Sequence, residues 1–157
     1  MGRSLQGVAC LPDMISKKTK YAINALVYIA KHLESQPIPV SRIAEDLHIP
    51  QKFLEAILTE LRNAGILRSK KGKYGGYSLN AQPADIHLAR IIRLLDGAIA
   101  LMPCVTYRYY ERCEECVDEA TCGIRQIAME IRNETVARLK NATLANIIER
   151  EHLLKGK

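Results

Sequence analysis

From Ser16 onward, apolar residues recur every three or four positions: Ala22, Ala25, Leu26, Ile29, Ala30 and Leu33, with Lys17, Lys18, Lys20 and Lys31 between them. That period predicts an amphipathic helix, apolar along one face and basic at its N-terminal end. The run Gln36-Pro37-Ile38-Pro39 ends it, because proline has no amide donor and disfavours helical backbone in the residue before it. A second, short helix is expected over VSRIAEDL, with Val40, Ile43, Ala44 and Leu47 inward. After the turn His48-Ile49-Pro50, PQKFLEAILTELRNAG predicts a third helix, with proline in its first turn and Gly65 just past its end. Phe53, Leu54, Ile57, Leu58 and Leu61 make its expected buried stripe, leaving Gln51, Lys52, Glu55 and Ala56 outward.

Two helices joined by a tight turn, the second beginning with polar side chains, form the helix-turn-helix pattern, whose second helix enters the major groove of DNA. The next segment, ILRSKKGKYGGYSL, predicts two short strands, 66–69 and 77–79, around a glycine- and lysine-rich connection. This is a wing. Gly72, Gly75 and Gly76 allow close backbone approach, and Arg68, Lys70, Lys71 and Lys73 bring four cations to one loop beside Tyr74.

Downstream, Pro83-Ala84-Asp85 reads as a turn and Ile86-His87 as a short strand before a helix over HLARIIRLLDG, closed by Gly97. The segment GIRQIAMEIRNETVARLKNAT then carries Ile124, Ile127, Ala128, Ile131, Thr135, Val136 and Leu139 along about five helical turns. Such a helix outruns the small domain it leaves, and its expected partner is a second copy. Helix-turn-helix dimers read two half-sites about one turn of DNA apart. Thr143 is placed to cap a last helix, LANIIEREHLL.

Charge sharpens this picture. The net charge is +6, and residues 15–80 hold 11 Lys/Arg against 5 Asp/Glu, whereas residues 81–157 hold 11 of each. An excess confined to the winged segment fits a polyanion partner, since each neutralised phosphate releases counterions. Double-stranded operator DNA is the expected partner. Candidate DNA contacts are Lys17 and Lys20 on the first helix, and Gln51, Lys52, Glu55 and Arg62 on the third. The wing adds Lys70, Lys71, Lys73, Tyr74, Gly75 and Gly76. Glu55 is the expected base discriminator, because a carboxylate accepts from cytosine and repels phosphate.

Four of the five cysteines, Cys104, Cys113, Cys116 and Cys122, fall within nineteen residues. No secretory signal and no run of about 20 apolar residues is present, so a reducing cytoplasmic setting without membrane contact is expected. There, clustered thiols serve better as metal ligands than as disulfides. Thiolates suit an iron–sulfur cluster, and CxxC with two further cysteines suits a structural zinc with four thiolates equally well. A metal-free switch using Cys113 and Cys116 is a third reading. The CxxC lacks the βαβ setting of a thiol–disulfide oxidoreductase and no acid–base pair accompanies it, so an enzyme is not expected. A zinc-stapled adaptor that binds protein is the remaining rival.

SKKTKYAINAL, IPQKFLEAIL, LRNAGIL, KGKYGGYSL and TLANII, spread between Ile15 and Ile148 in consistent register, resemble the Rrf-two family of bacterial winged helix-turn-helix regulators. The resemblance implies a homodimeric repressor or activator, a wing in the minor groove, and a long helix crossing between subunits. In IscR-like members three cysteines hold a 2Fe–2S or 4Fe–4S cluster, and Cys104, Cys116 and Cys122 stand at matching places. IscR-like proteins take a histidine three residues past the last cysteine, where this chain has Arg125; NsrR-like ones take a first-helix aspartate, where it has Lys20. Cys113 could complete an all-thiolate set.

The expected fold is therefore mainly α: a winged helix-turn-helix domain with a two-stranded wing, then a long C-terminal dimerisation helix. Residues 1–13 read as a disordered leader or tag in which Cys10 has no role, 14–97 as the DNA-binding domain, 98–122 as a cysteine-rich sensor loop, and 123–157 as dimerisation helices.

Overall fold

Ser16 opens helix α1 (Lys17–Lys31), its hydroxyl accepting from the Thr19 amide at 3.1 Å. This satisfies one of the donors that every helix start leaves over. The computed structural model describes residues 15–156, so the expectations for residues 1–13, Cys10 among them, lie outside the described residues. Ala22, Ala25, Leu26 and Ile29 of α1 are fully buried, and the core is built around them.

Gln36, at the break after α1, ties two elements together. Its amide nitrogen donates to the Ile29 carbonyl at 3.1 Å, and its oxygen accepts from the Leu79 amide at 3.1 Å. Helix α2 (Val40–Asp46) follows, then a turn in which His48 takes a positive φ of 52°. Helix α3 (Gln51–Asn63) begins at Pro50 and buries Leu54, Ile57, Leu58 and Leu61 completely. Each such side chain contributes roughly 1.5–3 kcal/mol when taken from water. Phe53, expected in that stripe, is instead 42% exposed. It lies on the flank of the helix towards α1, outside the arc that the four buried residues span.

The C-terminal end of α3 is closed from outside. Gly65 adopts φ 72°, and the Arg90 guanidinium donates to the Ala64 carbonyl at 2.7 Å, where a cation also meets the negative end of the helix. Strand β1 (Leu67–Lys70) then pairs antiparallel with β2 (Gly76–Leu79), Leu67 facing Leu79 and Lys70 facing Gly76. Ile38 bridges Tyr77 on the other side of β2, with both amide–carbonyl bonds at 2.9 Å. A side chain at Gly76 would fall on the Ile38 carbonyl, so this bridge requires glycine there.

Helix α4 (Leu88–Leu95) starts at His87 and ends before Gly97, whose φ is 88°. Instead of forming a strand, Ile86-His87 makes an isolated bridge to the turn between the last two helices: Leu88 N–H to the Ala142 carbonyl (2.9 Å) and Leu144 N–H to the Ile86 carbonyl (3.1 Å). Those helices are α5 (Gly123–Asn141) and α6 (Leu144–Lys155). Thr143 and Asn146 cap α6 reciprocally, Asn146 N–H to the Thr143 hydroxyl at 3.2 Å and Thr143 N–H to the Asn146 side chain at 3.0 Å.

Helix α6 turns back onto α1. Leu144 is fully buried, Ile147 and Ile148 pack on the main core, and Lys31 pairs with Glu151. Helix α5 does the opposite. Ile124 is 71% exposed and Ile127 60%, while Ala128 and Arg132 are its buried residues.

Candidate functional site

The residues expected to meet DNA sit on three elements: α1, α3 and the wing. Gln51 and Lys52 begin α3 exposed, and the Gln51 amide donates to the Glu55 carboxylate at 2.9 Å, which fixes both side chains against each other. Arg62, near the other end, leans on Asn63 at 3.0 and 3.4 Å. Lys17, at the start of α1, places its ammonium 5.5 Å from the Tyr21 ring centre, and Lys20 stands one turn on.

The wing tip is open. Lys70, Lys71, Lys73 and Tyr74 are exposed, with the Lys73 ammonium 5.8 Å from the Tyr74 ring, while Arg68 is drawn to the Ser78 hydroxyl at 3.1 Å. Gly75 and Gly76 are half-buried. A side chain at either would strike backbone, that of Lys70 or of Ile38, so these two glycines shape the wing. None of the wing-tip cations is neutralised by a carboxylate among the described residues, which leaves them available to phosphate.

The cysteine loop has its own small core. Cys104 and Val105, in a short 3-10 turn, are buried with Ala128 of α5, and Met102, Cys113 and Met129 pack around them. The Cys104 thiol beside Cys113 pushes the latter's pKa above its ordinary value; desolvation and the negative charge expected at Cys104, Cys122 and Glu115 act in the same direction. Cys116 stands one turn on, its amide bonded to the Cys113 carbonyl at 3.1 Å, and Arg112 holds that turn through the Cys116 and Val117 carbonyls. Cys122 is the N-cap of α5, at the positive end of the helix, where negative charge is favoured. Further along the loop, Asp118 accepts from the Ala120 amide and the Thr121 hydroxyl, and these bonds hold its carboxyl below the usual range.

A family model of iron-dependent transcriptional regulators, Rrf2, matches residues 15–150. The chain belongs to the Rrf2 family. It is a DNA-binding transcriptional regulator and not an enzyme. Similar Rrf2-type proteins include a protein of Rhodobacter capsulatus described as an rrf2-like HTH-type transcriptional regulator, 36% identical over 138 residues, covering 86% of this chain and 92% of its own. The HTH-type transcriptional regulator IscR of Vibrio atlanticus is 26% identical over 141 residues, 90% of this chain and 78% of its own. Among solved structures, CymR, the global cysteine regulator of B. subtilis, superposes with a TM-score of 0.72 at 29% identity, covering 87% of this chain and 96% of its own. IscR of T. potens does so with 0.68 at 25% identity, over 92% and 91%. No helix among the described residues is long and apolar enough to cross a membrane.

All four loop cysteines of this Rrf2 protein are free thiols. The donor set fits a thiolate-held metal centre by chemistry: Cys104 is buried at the seat, Cys113 lies against it, and Cys122 is close enough to act on Cys113 electrostatically. Among the described residues, no three His, Cys, Asp or Glu side chains are drawn together at metal-holding distance. Arg125, at the place of the IscR-like histidine, touches the Met129 sulfur at 3.3 Å and leaves its buried Nε without a partner.

Two features of the site escaped the sequence. Tyr21 and Phe53 form an edge-on aromatic pair between α1 and α3, although neither spacing nor composition marks it. Arg132, a charged residue amid the polar positions of α5, is 7% exposed.

Proposed function

We propose that this protein is a homodimeric operator-binding regulator whose DNA affinity follows the state of a thiolate-held centre at Cys104, Cys113, Cys116 and Cys122. The observation that carries the reading is the seating of the loop's free thiols at α5, the helix whose isoleucines lie uncovered: Cys104 and Cys113 pack with Ala128 and Met129, and Cys122 is the helix N-cap, while Cys116 stays one turn from Cys113 within the loop. A loop that packs on Ala128 and a helix that offers Ile124, Ile127 and Ile131 to a second copy form one continuous unit. The α5 helices are thus the dimer contact, while α6, whose Leu144, Ile147 and Ile148 already pack on the main core, stays within its own subunit.

On DNA, α3 enters the major groove, with Glu55 oriented by Gln51 to select bases, and the wing lysines meet phosphates or the minor groove. Residues 14–97 carry this docking and residues 98–122 the sensing. An iron–sulfur cluster, 2Fe–2S or 4Fe–4S, is the group we assign to the loop; bound there it would supply sensitivity to oxygen, nitric oxide or iron supply. The chain's own residues do the rest: Cys104 anchors, Cys113 and Cys116 flank one turn, and Cys122 offers its sulfur at a helix start. Such a centre acts as a switch only if its two states favour different dimer geometries.

A second reading is favoured by the contact between Cys113 and Cys104. Here two thiols join as a disulfide, their two protons and two electrons passing to a peroxide. Zinc held by the same four thiolates is the third. Purification without oxygen decides among them. Visible thiolate-to-iron absorption with matching iron and sulfide supports the cluster, and colourless protein holding one zinc supports zinc. Protein that holds no metal, even after incubation with ferrous iron and sulfide, overturns both.

A further inference from the structure

Arg132 is the one charged side chain that the fold buries among the described residues. Its guanidinium donates to the Val105 carbonyl and to the Tyr107 hydroxyl at 3.1 Å, and lies 4.4 Å from the centre of the Tyr107 ring. The Asn133 side-chain oxygen, at 2.6 and 3.1 Å, holds it in that orientation. Every acceptor is neutral, and no carboxylate among the described residues pairs with it.

A buried guanidinium without a counter-ion is costly, so the arrangement is poorly explained as a stabilising device. Its targets suggest another use. Val105 and Tyr107 follow Cys104 by one and three residues, and Ala128, one helical turn before Arg132, forms the floor under Cys104. Tyr107 is 88% exposed and among the described residues has no other ring or cation partner, so the guanidinium is its tie to the helix, beyond the point where Cys104 and Val105 pack on Ala128. The planar fork lets one side chain grip a backbone carbonyl, a hydroxyl and a ring face together, which an ammonium cannot do.

We propose that Arg132 is a positioning residue that latches the start of the cysteine loop to α5, so that a change in the loop's state reaches the helix through this side chain. The inference rests on reading the loop as a sensor. A latch made of neutral acceptors holds the loop while leaving it releasable, as a coupling element must be. Arg132→Met removes the latch, Arg132→Lys keeps the charge but not the fork, and Tyr107→Ala strips the exposed half of the contact with little risk to folding.

The test compares affinity for a duplex operator, selected from a random pool by the wild-type protein, before and after loading with ferrous iron and sulfide. In parallel, alkylation of Cys104 by iodoacetamide is followed in metal-free protein by peptide mapping. Arg132→Met is expected to bring the loaded-to-free affinity ratio most of the way to one and to speed Cys104 alkylation by about tenfold, the scale of losing charge-assisted hydrogen bonds. Arg132→Lys should restore neither, and Tyr107→Ala should move both in the same direction by less. A general loss of stability would weaken both forms alike and leave the ratio unchanged. If the wild-type ratio is itself one, the sensor reading fails. If the wild-type ratio differs from one and both Arg132→Met and Tyr107→Ala preserve it, the latch is refuted.

Discussion

Tyr21 meets Phe53 edge-on, with ring centroids 5.9 Å apart and planes at 78°, and this pair joins the scaffold helix α1 to the N-terminal turn of α3. With Lys17 above Tyr21 and Glu60 paired to Lys18 at 2.5 Å, it sets how α3 is presented. Edge-on aromatic pairs contribute about 0.5–1.5 kcal/mol beyond the area they bury. A double-mutant cycle of Tyr21→Ala and Phe53→Ala, read by urea denaturation, should show coupling of that size. Additive losses would mean the rings merely sit near each other.

Glu55 and the wing lysines divide the work on DNA. Replacing Glu55 by Ala should relax preference at one base position by about 1–3 kcal/mol while leaving non-specific binding intact. Gln51→Ala should do part of the same, since Gln51 orients that carboxylate. Lys71→Ala and Lys73→Ala should instead weaken binding to every sequence and each lower the salt slope by about one. Competition between a selected operator and random duplex across a salt series separates the two behaviours. A uniform loss for Glu55→Ala would reverse the assignment.

Ile127 lies near the middle of the uncovered face of α5. Ile127→Glu should convert a dimer to a monomer in light scattering, because each buried isoleucine contributes roughly 1.5–3 kcal/mol and a carboxylate there faces its own copy. Thermal stability of the winged domain should change little. A variant that remains dimeric would move the interface elsewhere.

Asp96 accepts from the Ser16 amide at 3.1 Å, across the start of α1. Burial raises its pKa, but the hydrogen bonds from Ser16 and Thr19 and the nearby Lys18 charge outweigh this, and the net shift is downward. A carboxyl lowered on folding adds stability that is fully present above its unfolded value and is lost as pH falls through the folded one. Asp96 is exposed, so solvent screens the effect, and Asp96→Asn should cost no more than a few tenths of a kcal/mol at neutral pH; the difference should begin to shrink as pH falls below about 4 and vanish only below the lowered folded pKa. A gap independent of pH would show that the carboxylate charge plays no part.

Much of this molecule was legible in the chain because local chemistry decides it. Thr143 caps α6 and Gly65 closes α3 for reasons contained in a few neighbouring residues. The fully buried stripe of α3 follows from a helical period that tolerates only one inward face. Phe53 was misplaced because it borders that stripe, and spacing cannot tell a core position from one that leans on a neighbouring helix. For α5 and α6, periodicity revealed apolar faces but not what covers them. Helix α6 folds back where the His87–Thr143 bridge stitches its start to that of α4, a long-range contact with no sequence mark. Arg132 was invisible for a related reason: charge reads as solvent, and only the fold shows it gripping Val105 and Tyr107. Spacing shows four cysteines close in sequence, yet not that Cys113 would be the one against Cys104.

The central claim is that the state of the loop thiols governs the grip of the winged module on DNA. Its most direct test is operator affinity, measured without oxygen for three forms of the full chain: loaded with iron and sulfide, stripped by a chelator, and with Cys104, Cys113, Cys116 and Cys122 all replaced by Ser. The account predicts that loaded and stripped protein differ by at least about fivefold, the low end of an allosteric coupling, and that the four-serine protein behaves like the stripped form whatever is added. Equal affinity in all three would contradict it.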